Sequence, residues 1–152
     1  MATITLEMAQ RAIAAILAVA KEKDYTIAIA IADETGDFVA TVKMDDSYLR
    51  WSRNARRKAY TSAIMGRDTT AFFEEMKMRG RTVADYGDPM LTTYPGGVAV
   101  YSGKRCIGGI GVTGAAHGHD EELAKEGLAT MRLIAEVGGE GDWEALFGGK
   151  PK

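Results

Sequence analysis

The two histidines of the chain, His117 and His119, are separated by a single glycine, and Asp120 follows directly. Imidazole changes its charge near neutral pH more readily than other side chains, and it is the commonest metal ligand. The two histidines are therefore candidates for a general acid or base. Alternatively, a histidine and Asp120 together could bind a divalent cation. A solvated loop is the alternative for each histidine, and Asp120 can also serve as a helix N-cap.

A second set of candidate residues is cationic and lies in a helix predicted over residues 47–64. Arg50, Arg53 and Arg57 fall on one face of this helix, and Lys58 lies beside them. Guanidinium groups match carboxylates in a two-point geometry. This face is thus a candidate anion site, with Arg53 and Lys58 as the ligand-binding residues. A solvated charged face is the alternative.

Glycines cluster where the last two strands are predicted to run. Glycine within a strand weakens it unless another backbone or a ligand approaches closely. Two explanations stay open: a helix or a second subunit packs closely on the sheet, or bare backbone lines a ligand pocket that the imidazoles can reach. If the second explanation holds, the residues that contact the ligand are Gly97, Gly109, Gly111 and Gly114. Tyr94, in the long loop predicted before these strands, is a further candidate for the pocket wall.

Composition restricts the class of protein. The chain has 152 residues, is 46 % hydrophobic and 26 % charged, and carries a formal net charge of −2. This length predicts one domain, and the charge argues against a nucleic-acid binder that neutralises phosphates over a broad surface. No apolar run reaches the length of a membrane span, and the N-terminus lacks the pattern of a signal peptide. We expect a cytoplasmic protein with no nucleic-acid or membrane partner.

Hydrophobic periodicity predicts the element order α-β-β-α-α-β-β-α. Thr5 is a predicted N-cap of the first helix, and residues 25–32 then alternate between isoleucine and alanine. Two hairpins without a parallel βαβ unit indicate an α+β domain, an antiparallel sheet packed between helices. We assign residues 1–137 to this single domain and residues 138–152 to a glycine-rich extension. The extension is predicted to form a docking turn, on its own domain, a neighbouring subunit or a ligand pocket, from Trp143, Leu146 and Phe147.

Several segments together resemble one known family. They are residues 29–37, 43–45, 57–61 and 96–114, followed by Asp120 and Glu121. In this combination the chain resembles the GlcG/HbpS-like family, which includes the C-terminal domain of PduO-type proteins. The resemblance implies an α/β/α sandwich of the profilin-like kind. It also implies binding of haem or a related tetrapyrrole and assembly into homo-oligomers, from dimers up to octamers.

Two functions follow from the residues and the resemblance. The first is a small-ligand-binding homo-oligomer whose ligand is haem or another anionic planar molecule, with His117 or His119 as the iron ligand and no other metal site. The second is a lyase or isomerase acting on a small, in some cases aromatic, carboxylic acid. In this enzyme Arg53 or Lys58 would anchor the acid and a histidine would move a proton. A homo-oligomeric scaffold without a ligand is a third alternative.

Overall fold

The computed structural model describes residues 3–138, without the side chains of His117 and of residues 132–138. Helices and strands follow the predicted order, and the α+β class is confirmed. The elements are α1 (Leu6–Glu22), β1 (Ala28–Asp33), β2 (Phe38–Lys43), α2 (Leu49–Met65), α3 (Thr69–Arg79), β3 (Gly97–Ser102), β4 (Arg105–Thr113) and α4 (Asp120–Gly138). Short 3₁₀ turns occur at Val83–Tyr86 and Ala116–Gly118. The predicted docking turn of Trp143, Leu146 and Phe147 lies outside the described residues.

The strands form one antiparallel sheet in the order β2-β1-β4-β3. Both predicted hairpins are present, and pairing of β1 with β4 joins them in the centre of the sheet. In that central pair Ala28 lies opposite Thr113 and Ala30 opposite Gly111. The end of β4, and the histidine-bearing connection that follows it, therefore lies next to the start of β1.

Helices α1 and α4 cover one face of the sheet. Ile27, Ile29 and Ile31 point to this face, as the alternating pattern predicts, and all three are buried. The helices meet closely at Gly127, where a Cβ atom would lie 2.6 Å from Cδ1 of Ile16. Burying an isoleucine side chain stabilises a fold by about 1.5–3 kcal/mol, so this core supplies a large share of the folding energy. Within the described part of the chain, no helix is long and apolar enough to cross a membrane.

Helix α2 covers the other face of the sheet, and its backbone lies directly against the backbone of β3 and β4. Cβ atoms on Gly97, Gly109 and Gly111 would come within 2.5, 2.4 and 2.1 Å, respectively, of carbonyl oxygens of α2. Close packing of a helix is thus the correct explanation of these three glycines. The expectation that a ligand lies against them is wrong, because α2 fills that space. The small residues that complete the contact are Ala28, Ala30, Ala32, Ala55, Ala59 and Ala63.

Strand β1 begins at Ala28, later than the predicted start at Tyr25. Asp24 adopts a left-handed conformation with φ 57° just after α1. The amide of Tyr25 then donates to the carbonyl oxygen of Ala20 at 2.7 Å. The backbone of Tyr25 closes the end of the helix and is not available to the sheet.

We predict that Gly111→Ala destabilises the protein much more than Gly80→Ala. At Gly111 the new Cβ would meet the carbonyl oxygen of Ala55 at 2.1 Å and the amide nitrogen of Ala59 at 2.6 Å. Overpacking against backbone should cost roughly 3 kcal/mol. At Gly80, where φ is +63° and no atom lies within 4 Å, only backbone strain of about 1 kcal/mol is expected. Urea denaturation measures both free energies, and equal losses would contradict the packing explanation.

Candidate functional site

Lys58 is enclosed by protein, with 4 % of the side chain exposed. Its Nζ atom donates to the carbonyl oxygen of Val112 at 2.8 Å and to Oδ2 of Asp120 at 3.1 Å. Gly96 closes over the amine, since a Cβ at that position would lie 2.9 Å from Nζ. The structure therefore brings together Lys58 and Asp120, both predicted site residues, but bonds them to each other. Lys58 is not exposed to a ligand here, which corrects its predicted role as a ligand contact.

Burial dominates the electrostatics of Lys58. The pKa of its amine is lowered from the ordinary value of 10.5, above all because desolvation disfavours the charged form. The carboxylate of Asp120 opposes this effect through its charge and its hydrogen bond. The ammonium ion therefore costs folding free energy, and its pairing with Asp120 offsets only part of that cost.

Asp120 begins α4 and holds the connection that precedes it. Its Oδ1 atom accepts a hydrogen bond from the amide of Ala115 at 2.8 Å, while Oδ2 accepts from Lys58. Both carboxylate oxygens are thus used within the protein. A carboxylate in the first turn also interacts favourably with the helix dipole. We call residues 112–120, which contain both histidines, the histidine segment.

His119 contacts the end of α1. Its Nδ1 atom shares a hydrogen bond of 2.8 Å with the hydroxyl of Tyr25. The imidazole lines a cleft of about 70 Å³ between α1 and α4. This cleft is open to solvent, and it is smaller than a second cleft at the start of α2. Of His117 the structure describes the backbone alone, within the 3₁₀ turn.

A larger cleft opens at the exposed start of α2. Its volume is about 320 Å³, and its walls are Tyr48, Leu49, Arg50 and Arg53. Leu49 is 71 % exposed, and the guanidinium carbon of Arg50 lies 4.8 Å from the centroid of the Tyr48 ring. Tyr48 packs edge-on against Trp51, with 4.9 Å between the ring centroids. We call this concave surface, which has an apolar wall and includes two arginines among its lining residues, the arginine cleft.

The remaining predicted site residues lie outside the arginine cleft. Arg57 donates to the carbonyl oxygen of Leu91 at 3.0 Å, so two of the three predicted arginines line the cleft. A Cβ on Gly114 would lie 2.4 Å from a backbone oxygen and 2.9 Å from Cε3 of Trp51. Protein atoms fill the space on this side of Gly114, which is half-buried, and a ligand contact of Gly114 stays a prediction. Tyr94 is 69 % exposed and lines neither cleft.

Sequence reasoning missed Tyr25, Tyr48 and Leu49 as residues that line the two clefts. Tyr25 reads as the first residue of a strand, and its partner His119 is distant in sequence. The hydroxyl of Thr113 is buried at the end of the glycine-rich strand, and no described residue bonds to it. Only coordinates reveal such a group. Among the described side chains, no cluster of three or more His, Cys, Asp or Glu is arranged to hold a metal ion.

The fold places the chain in a class of small α/β/α proteins with known structures. HbpS from Streptomyces reticuli, crystallised as a double mutant, is 26 % identical and superposes with a TM-score of 0.77, covering 86 % of this chain and 88 % of HbpS. A PduOC complex with haem superposes with a TM-score of 0.76 at 22 % identity, covering 84 % of this chain and 94 % of PduOC. This second likeness concerns the fold.

Sequence comparison identifies the family. Residues 4–129 match the model described as haem degrading protein HbpS-like. Protein GlcG from Escherichia coli strain K12 is 36 % identical over 110 residues, which are 72 % of this chain and 81 % of GlcG. The chain therefore belongs to the HbpS-like family, and the resemblance derived from its sequence segments is confirmed.

We predict that the contribution of Lys58 to the free energy of unfolding becomes more favourable as the pH rises into the alkaline range. Because its pKa is lowered in the folded state, the folded protein loses this proton before the unfolded chain does. The unfolded chain then binds more protons, so the free energy of unfolding rises as the pH approaches 10.5, the ordinary lysine value. Urea denaturation from neutral pH upward should show wild type gaining stability relative to Lys58→Met.

The matched control for this pH series is Lys125→Met. Lys125 is 58 % exposed and lies 4.0 Å from Glu121 on the same helix, so this variant also removes one lysine next to a carboxylate. Its pH series shows the effect of removing an exposed lysine, and the Lys58→Met series is compared with it. A Lys58→Met difference that stays constant with pH would contradict the lowered pKa.

Proposed function

We propose that the protein binds haem or another planar anionic molecule in the arginine cleft. Two relationships support this proposal. The family of the chain is described as haem degrading, and PduOC, which shares its fold, has been crystallised with haem. The observation that carries the proposal lies in this chain: two arginines, Arg50 and Arg53, belong to the wall of an exposed apolar cleft. A porphyrin has the complementary chemistry, with a flat apolar ring and carboxylates at one edge.

The size and charge of the arginine cleft fit such a ligand. Its volume of about 320 Å³ lies at the lower end of the ~300–1,000 Å³ of small-molecule sites. Tyr48 and Leu49 are exposed, so a larger ring can extend beyond the cleft while lying against them. Arg50 and Arg53 would hold the carboxylates through charge-assisted hydrogen bonds. Gly97, Gly109 and Gly111, which α2 covers, take no part in this binding.

His117 is the histidine that the described contacts leave as a candidate iron ligand for this cleft. Gly114 lies against Trp51, and Trp51 packs on Tyr48 in the cleft wall. His117 follows Gly114 by three residues, so their Cα atoms are at most about 11 Å apart. We infer that His117 would bind the haem iron, because His119 is engaged by Tyr25 in a different cleft. Bound haem would supply one-electron and dioxygen chemistry.

Titration with haemin tests this proposal. Wild type should give a saturable shift of the Soret band, and His117→Ala should change the spectrum of the complex. Arg50→Gln combined with Arg53→Gln should raise the Kd about tenfold, which corresponds to ~1.4 kcal/mol. A double variant with Arg11→Gln and Arg79→Gln, both exposed arginines, changes the net charge equally and should bind normally. Non-saturable binding, or equal affinity in both double variants, would contradict the proposal.

Acid–base catalysis on a small carboxylic acid, as a lyase or isomerase, is the second candidate function. The hydrogen bond between Tyr25 and Nδ1 of His119 favours it, because such a bond orients the ring for proton transfer at Nε2. Lys58 cannot anchor the acid in this geometry, since Val112 and Asp120 engage its amine. The reacting carbon would have to enter the cleft that His119 lines.

Proton exchange in deuterium oxide tests the second function. Wild type incubated with small carboxylic acids should introduce deuterium next to the carboxylate, as followed by NMR spectroscopy. His119→Gln should slow this exchange by about 10²–10⁴-fold, the usual contribution of a general acid or base. Lys125→Met should exchange at the wild-type rate. Exchange that is as fast in His119→Gln as in wild type would exclude this histidine as the base.

We also propose that the protein works as a cytoplasmic homo-oligomer, between a dimer and an octamer. The resemblance to the GlcG/HbpS-like family, which implies homo-oligomers, supports this proposal. The arginine cleft lies on the outside of the domain, at the start of α2. A neighbouring subunit could therefore cover the part of a planar ligand that the cleft leaves exposed.

A further inference from the structure

The amine of Lys58 contacts both ends of the histidine segment. It donates to the carbonyl oxygen of Val112 near the end of β4, and to Oδ2 of Asp120 at the start of α4. The chain between these two residues includes His117 and His119. A single buried side chain from α2 thus closes the segment into a loop.

One further contact holds this loop closed, and another fixes its first residue, Val112, to Gly96. Asp120 accepts a hydrogen bond from the amide of Ala115 at 2.8 Å, which ties the start of the connection to its end. Gly96 accepts through its carbonyl oxygen from the amide of Val112 at 2.9 Å. The same glycine lies over the lysine amine, where a Cβ atom would come within 2.9 Å of Nζ. The described contacts of the amine are therefore internal to the protein.

We propose that Lys58 is a positioning residue that fixes the histidine segment, and with it the imidazole of His119 against Tyr25. The path runs from the amine to Asp120, and from Asp120 to the adjoining His119. The importance of this arrangement for ligand binding rests on the proposed function, which takes its iron ligand from the same segment. The contacts of Lys58 with Val112 and Asp120, and of His119 with Tyr25, do not involve a ligand.

A lysine is suited to this position because it combines length with charge. Methionine has a similar length but no donor, so Lys58→Met would leave the carbonyl oxygen of Val112 without this bond. It would also leave the carboxylate of Asp120, which is 15 % exposed, without its counter-charge. Removing one partner of a buried ion pair is far more disruptive than the net strength of the pair indicates. The loop should then lose its closed geometry.

NMR spectroscopy of the full chain without ligand tests the inference. The measured quantity is the nuclear Overhauser effect between the ring protons of Tyr25 and those of His119, which are joined by a 2.8 Å hydrogen bond in the folded protein. Lys58→Met and Asp120→Ala should each lose most of this signal. Asp120→Asn should keep part of it, because the amide oxygen can still accept from Ala115 although the charge is gone.

A variant that is destabilised elsewhere separates positioning from general loss of structure. Phe72→Leu removes volume from a fully buried side chain of α3, and it should leave the Tyr25–His119 signal unchanged. An equal loss of signal in Phe72→Leu and Lys58→Met would overturn the inference, as would a full signal in Lys58→Met. If Lys58→Met does not fold, the comparison of Asp120→Asn with wild type decides, because Asn keeps an acceptor for the Ala115 amide but removes the charge that pairs with Lys58. A full signal in Asp120→Asn would then overturn the inference.

Haemin titration of the same variants distinguishes this inference from the proposed function. If wild type fails to bind haemin while Lys58→Met loses the Tyr25–His119 signal, the proposed function is wrong and the positioning role stands. If wild type binds haemin and Lys58→Met keeps the signal, the positioning role is wrong and the proposed function stands.

Discussion

The close approach of α2 to the sheet is the contact on which the rest of the structure depends. Gly97, Gly109 and Gly111 place no Cβ atom between strands and helix, so the two backbones lie against each other. At this distance Lys58, on the inner side of α2, cannot extend to solvent, and its amine meets β4 and the start of α4 instead. The buried ion pair and the closed histidine segment are consequences of that single contact.

Helix α2 therefore carries cations in two different environments. Arg50 and Arg53 lie at its exposed start, where water stabilises their charge and an anion can displace that water at little cost. Lys58 lies further along the helix in a desolvated position, where its charge requires permanent partners. The first environment suits reversible binding of a carboxylate, and the second suits a fixed internal contact. Residue type alone does not distinguish these uses, because both depend on the depth of burial.

Much of the fold could be predicted because it follows from local patterns. Alternation of isoleucine and alanine in β1 specifies both faces of the strand, and Thr5 begins α1 with the hydrogen bond expected of an N-cap. The site was harder to predict. A strip of bare backbone looks the same in sequence whether a helix or a ligand covers it, so Gly109 and Gly111 supported both explanations. The arginines were predicted as a candidate anion site, whereas the neighbouring Tyr48 and Leu49 were not singled out.

The sequence by itself determined the elements, their order, the inner and outer faces of the sheet and the family, because each depends on spacing along the chain. Only the tertiary structure decided what covers the glycines, that Lys58 pairs with Asp120, and that His119 meets Tyr25. These contacts join residues far apart in sequence, and their strength depends on burial, which a linear pattern does not record. The physical reason is that packing distance decides whether a polar side chain faces water, a ligand or another part of its own chain.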